Sequence, residues 1–293
     1  MELNIKKSLQ ANIPGWNGKV LADWIGWFGE KNGTQVHRQS RYLSNDPSVI
    51  ATQADLAKAA GFDGFRATVQ GPTVNPFLHD ASMKLWEACL ERGMLYCYLL
   101  DPWIAKNQPN PTQAVIDSLN SADYQRVMAS DAYLPEHYVC EFDLANSAGV
   151  NVAAVQAAFP AIPILTWHKG YTWPIIPADP AHPLNVIAIL QIEHSLPTMK
   201  MGSATLKFND GGLPQPLGVQ AKDFRGQRDY SQSAWNNGPT HVIDAQGGNF
   251  FYDCVATIPA SMPYVCVPTW SDYEEQTAIE DVIAMLGGRR LGK

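Results

Sequence analysis

Short apolar runs, each closing in a polar or aromatic cluster, alternate with stretches of helical spacing along most of this chain. Lys19–Gly29 predicts a first strand with Asp23, Trp24 and Trp27 near its exit. Pro47–Ala60 places Ile50, Leu56 and Ala60 on one side of a helix, with Asp46 as N-cap and Gly61 as the stop. Phe62–Val69 predicts a second strand running into Gln70-Gly71-Pro72. Asp80–Arg92 is an amphipathic helix stopped by Gly93, and Met94–Leu100 is an apolar strand ending at Asp101-Pro102. The rhythm continues with a helix over Thr112–Met128, a strand over Tyr138–Leu144 near Asp143, and a helix over Val150–Phe159. Two further strands follow, Ile162–Trp167 opening into His168, and Val186–Ile192 leading to Glu193 and His194.

Regularity lapses between Met199 and Gln220, where Asn209-Asp210-Gly211-Gly212 separates short alternating runs and predicts an inserted β-hairpin. A seventh strand is expected over Val219–Arg225, a helix over Gln246–Ile258, an eighth strand over Tyr264–Thr269 and a closing helix over Thr277–Leu286. Strand, polar exit and helix, repeated about eight times, is the signature of an α/β (β/α)8 barrel. A chain of 293 residues accommodates one such domain, residues 1–18 standing before it as an N-terminal extension.

Composition narrows the chemistry. A net charge of -7, with no basic cluster, argues against nucleic acid as partner. No apolar run approaches the roughly 20 residues of a membrane span, and no signal peptide is visible, so a cytoplasmic, released or particle-borne protein is expected. Five cysteines without metal-type spacing read as reduced core thiols. No Gly-rich phosphate loop and no Gly-x-Ser-x-Gly elbow is present, so neither a nucleotide cofactor nor a serine nucleophile is expected. No cofactor or metal is assigned.

The densest chemistry lies at the end of the last strand. Val265-Cys266-Val267-Pro268 runs directly into Thr269-Trp270-Ser271-Asp272-Tyr273-Glu274-Glu275. Carboxylates at a buried strand's end are costly unless something binds them, and in a barrel that end is where catalysis is done. Asp272 and Glu275 form a candidate acid pair, and paired carboxylates beside aromatic rings are the working parts of glycoside hydrolysis. Asp23, Trp27, Gln70, Asp101, Asp143, Trp167, His168, Glu193, Trp270 and Tyr273 stand at or beside predicted exits and are candidate substrate-binding residues. Capping, turn formation and packing are the competing explanations for each of them.

The segment Thr269–Glu280 resembles the last-strand motif of glycoside hydrolase families 71 and 99. Tyr42–Gln53 followed by Ala59–Gly64, and Gly247–Tyr252, are similar to two further blocks of those families, in the same order. The resemblance implies an α/β barrel acting on glycans, α-linked glucans or mannans among them. It also implies that Asp272 and Glu275 are the two catalytic carboxylates, one the general acid and the other the base; Glu275 as acid and Asp272 as base is the assignment taken here, and the reverse stays open. Ser271, Glu274 and Gln276 depart from the families' usual residues. A barrel that binds glycan without cleaving it, as an attachment component of a larger assembly, is the rival expectation.

Overall fold

The computed structural model describes residues 4–29, 42–135, 137–142, 144–167, 195, 200–204, 208–209, 242–243, 249–268, 270–271 and 279. Among the described residues seven parallel strands form one sheet: β1 Lys19–Trp24, β2 Gly64–Val69, β3 Leu95–Leu100, β4 Val139–Phe142, β5 Ile164–Trp167, β6 Met201–Ser203 and β9 Tyr264–Val267. Their order across the sheet is β5-β4-β3-β2-β1-β9-β6. Apart from the first residue of β1, strands β1, β2 and β9 are buried throughout. Both faces are therefore covered, which explains why these strands read as continuous apolar runs rather than alternating ones.

The sheet curls. Arg66 of β2 reaches Met201 of β6, its Nη1 lying 3.5 Å from the sulfur, although those strands are three places apart and a flat sheet would hold them about 14 Å apart. The rings of Tyr138, just before β4, and Tyr264 of β9 meet at 6.1 Å across an even wider interval of the sheet. These side chains all project from one face of the sheet, which is thus the inside of the barrel.

Helices α1 Ile5–Asn12, α2 Pro47–Ala59, α3 Pro76–Arg92, α4 Pro111–Leu119, α5 Ala122–Met128, α6 Leu144–Ala148, α7 Val152–Ala158 and α8 Asn249–Ala256 fill the connections. Their starts follow capping chemistry: the Asp46 carboxylate accepts from the Ser48 amide before α2, and Asn75 accepts from Leu78 before α3. Gly93 ends α3 with φ 59, a left-handed residue where a side chain would be strained. Gly64 answers another need, since a Cβ there would lie 2.1 Å from the Leu95 carbonyl oxygen of β3.

The N-terminal extension is part of the fold. Leu9, Ile13 and Trp16 are buried, the Trp16 indole donates to the Met262 carbonyl at 2.7 Å, and Lys6 pairs with Asp63 at 2.8 Å. Met262 and Asp63 precede β9 and β2, so α1 packs on the face opposite the strand exits.

Three expectations change. The predicted helix over 112–128 is two helices, because Ser121 adopts an extended backbone and caps α5 by accepting from the Tyr124 amide. The stretch expected to open a hairpin supplies β6, hydrogen-bonded in parallel to β9, which is the position anticipated for the strand over 219–225. Among the described residues Phe208–Asn209, named β7, pairs antiparallel with Val242–Ile243, named β8, so this part of the expected insertion finds a partner beyond residue 220. The alternation of a short run fixes which face is buried but not which strand it joins. The expected strands over 186–192 and 219–225 and the closing helix lie outside the described residues, apart from Ile279. Among the described residues no helix is long and apolar enough to cross a membrane.

Candidate functional site

The exits of β1, β2, β3 and β9 adjoin one another, because these strands are consecutive in the sheet. Below them lies a polar layer inside the barrel. Asp23 and Arg66 are register partners on β1 and β2 and are 5% and 1% exposed. Arg66 Nε donates to Asp23 Oδ1 at 2.5 Å, and Nη2 to Oδ2 at 2.6 Å. The Cys266 thiol donates to the same Oδ1 at 2.9 Å. Burial alone would lower the Arg66 guanidinium; the opposing Asp23 charge reverses that and holds it above its ordinary value. Arg66 also lowers the Cys140 thiol, although the larger cause there is the hydrogen bond from Cys97.

Asp23 was expected to bind substrate directly. Its carboxylate is instead occupied by Arg66 on both oxygens, which makes it part of the barrel's internal frame. Trp270 was expected either to present a sugar-stacking face or to pack in the core; it is wholly buried, in T-shaped contact with Phe62 and Phe65 at ring-centroid distances of 5.8 and 5.6 Å. Alternation continued from Cys266 would turn Trp270 into the barrel. Pro268 follows the last residue of β9, the alternation stops, and the ring joins Phe65 on the helix side.

At the β1 exit, Trp27 is 8% exposed and its buried indole nitrogen has no hydrogen-bond partner among the described residues. The neighbouring Trp24 donates to Gln53 of α2 at 2.9 Å, and Gln53 donates to the Tyr42 hydroxyl at 3.0 Å. The sequence block around Tyr42 and Gln53 is thereby tied to the β1 exit. At the β2 exit, Gln70 accepts from Asn75 at 3.0 Å and donates to the Asp101 carboxylate at the β3 exit. Asp101 is half-buried and also accepts from the Trp103 amide at 2.8 Å. Burial pushes its carboxyl up to about 6, against the partial offset of those two hydrogen bonds. Gln70 and Asp101, predicted separately, are thus brought together.

At the β9 exit the backbone is fastened to β1. The Trp270 amide donates to the Asp23 carbonyl at 2.5 Å, and the Ile279 amide donates to the Trp270 carbonyl at 3.2 Å. The buried Ser271 hydroxyl donates to the Ile25 carbonyl at 3.1 Å and accepts from the Ile25 amide at 3.4 Å. Asp272, Tyr273 and Glu275 lie outside the described residues, as do Asp143, His168 and Glu193; Trp167 is the last residue of β5.

Three residues emerge that sequence reasoning passed over. Arg66 was visible as a lone charge inside an apolar run, opposite an aspartate at the matching place of the preceding strand. Trp103, 45% exposed one residue past the Asp101-Pro102 stop, carries Lys106 over its ring at 4.1 Å. Ser271 gave no signal beyond its departure from the resembling motif.

No protein-family model matches the chain, and no curated protein matches it. Solved structures do. The family 99 endo-α-mannosidase from Bacteroides thetaiotaomicron is similar with a TM-score of 0.55 and 14% identity, over 90% of this chain and 87% of that one, in a complex with bis-tris-propane. A second structure of that mannosidase gives 0.54 at the same identity, over 90% and 88%. A protein described as glycoside hydrolase-like gives 0.57 at 9% identity, over 94% and 95%. With seven curled parallel strands among the described residues and these neighbours, the chain has a fold of the (β/α)8 class that those neighbours share.

Proposed function

We propose that the chain is a glycoside hydrolase cleaving O-glycosidic bonds of an oligosaccharide or polysaccharide at the strand-exit end of a single barrel domain. The observation that carries the reading is the seam at the β9 exit. Trp270 and Ile279, the described residues that flank both candidate acids in the chain, are hydrogen-bonded to each other there, and the strand-exit end is where (β/α)8 enzymes do their chemistry. In this reading Glu275 protonates the leaving oxygen and Asp272 acts as base, on either side of an oxocarbenium-like transition state. General acid assistance supplies about 10²–10⁴-fold of the rate.

The walls follow from the neighbouring exits. Trp103 offers an exposed ring on which a sugar can stack, and Gln70 with Asp101 offers a hydrogen-bonded amide–carboxyl pair for hydroxyls. Trp27 contributes an indole N–H without an acceptor among the described residues. Asp143, Trp167, His168, Glu193 and Tyr273 complete the proposed lining from their positions in the sequence. The description of one neighbour as an endo-α-mannosidase makes α-mannosides the first substrates to try.

The test is turnover of α-mannans, α-glucans and bacterial surface polysaccharides by the wild type, Asp272→Asn and Glu275→Gln. Loss of product in both variants, with glycan binding retained, supports the reading. Undiminished turnover in both removes it, and binding without any wild-type turnover replaces it with a glycan-binding barrel.

A further inference from the structure

The seam between β1 and β9 uses a side chain where a backbone ladder would ordinarily continue. The Trp270 amide makes the last main-chain bond to β1, at Asp23. One step on, the ladder partner of Ile25 is the Ser271 hydroxyl, which serves both the Ile25 carbonyl and the Ile25 amide. A hydroxyl can do this because it donates one hydrogen bond and accepts others. The Trp270 carbonyl, meanwhile, accepts from Ile279, which is itself 4% exposed in the core. The described residues on either side of 272–278, Ser271 and Ile279, are thus each hydrogen-bonded into the fold, and Ser271 is the last described residue before Asp272.

We propose that Ser271 is a positioning residue for the carboxylate pair, fixing through Ile25 the point at which the acid-bearing segment leaves the sheet. The inference rests on the glycosidase reading and deepens it. Ser271 touches no reacting atom. It sets where the main chain of its neighbour begins, and a displacement of about 1 Å at a reacting group can lower turnover about 10²-fold. Arg66 stiffens the same joint from below, since it grips the side chain of Asp23 while the carbonyl of Asp23 holds Trp270.

The experiment compares wild type with Ser271→Ala, Ser271→Cys and Ser271→Thr on whichever glycan of the panel the wild type hydrolyses, well below each variant's melting temperature. Amide hydrogen exchange is followed in peptides covering 24–28 and 270–279. Ala and Cys are expected to lower kcat by roughly 10–100-fold with KM within about twofold, and to speed exchange in both peptides. Thr, which keeps the hydroxyl, is expected to return kcat to within about fivefold of wild type. Cys matches the shape of Ser without its strong hydrogen bonds, so the Ala and Cys pair decides the matter even if Thr does not fold. An unchanged kcat in Ser271→Ala, wild-type behaviour of Ser271→Cys, a folded Thr variant without rescue, or unaltered exchange each overturns the proposal while leaving the glycosidase reading in place. A wild type inactive on every glycan fails that reading instead, and the proposal falls with it.

Discussion

Replacing Asp23 by Leu leaves the Arg66 guanidinium inside the barrel without the carboxylate that faces its Nε and Nη2 donors. Both partners are almost fully buried and joined by two hydrogen bonds of 2.5 and 2.6 Å. Removing one member of such a pair costs about 3–5 kcal/mol, because the survivor remains desolvated and uncompensated. The Cys266 thiol loses its acceptor too, a smaller effect. Asp23→Leu and Arg66→Met are each expected to destabilise by about 3–5 kcal/mol, lowering the melting temperature by roughly 6–15 °C in a domain of this size. The double variant exchanges both charges for apolar side chains and is expected to recover at least about 2 kcal/mol relative to the sum of the single changes. Urea unfolding followed by tryptophan fluorescence and far-ultraviolet circular dichroism supplies the free energies, provided the two probes give coincident transitions. Single variants within about 1 kcal/mol of wild type, or a double variant equal to the sum, would refute the claim that the two charges form one buried unit.

Two other expectations follow from the strand exits. Asp101 has its carboxyl raised to about 6 by burial, so between about pH 4 and 6 the folded protein binds a proton that the unfolded chain has already released. Its contribution therefore makes stability fall as pH rises through that window. Asp101→Asn should flatten the slope of melting temperature against pH there, and parallel curves for variant and wild type would contradict the assignment. Trp103→Ala removes a ring that is 45% exposed, so stability should change by no more than about 0.5 kcal/mol. Glycan affinity, measured by titration calorimetry on the glycan the wild type binds, should weaken roughly tenfold; unchanged affinity would remove Trp103 from the proposed wall.

The barrel was legible because its strands are buried on both faces and each stops at residues that cannot continue a ladder, such as Asp101-Pro102 and Gln70-Gly71-Pro72. Those signals are local, and local signals survive in a single sequence. Partner choice is not local. Nothing in Met201-Gly202-Ser203 says that it will lie beside Tyr264, and nothing in Phe208-Asn209 says that its partner waits at Val242. The split at Ser121 was open to inspection, since a serine after asparagine inside a helical run is an N-cap signal.

Asp23 shows how a site residue can be found for the wrong reason. An acid at a strand exit was taken to reach for substrate, because its partner Arg66 stands 43 residues away and the register that joins them appears only once β1 and β2 are paired. Trp270 fails similarly: the position of an aromatic ring past Pro268 depends on where the alternation stops, which the composition of the run does not encode. Yet the two residues meet at the place the sequence singled out, main chain to main chain, two positions before Asp272 in the chain. A buried charge pair is weak support for stability in itself, since a pair of apolar side chains would do as well. What apolar side chains lack is the directional grip of a guanidinium fork on one rotamer of Asp23. The retention of ions there is better explained by the orientation they impose on the strand end than by the energy they add.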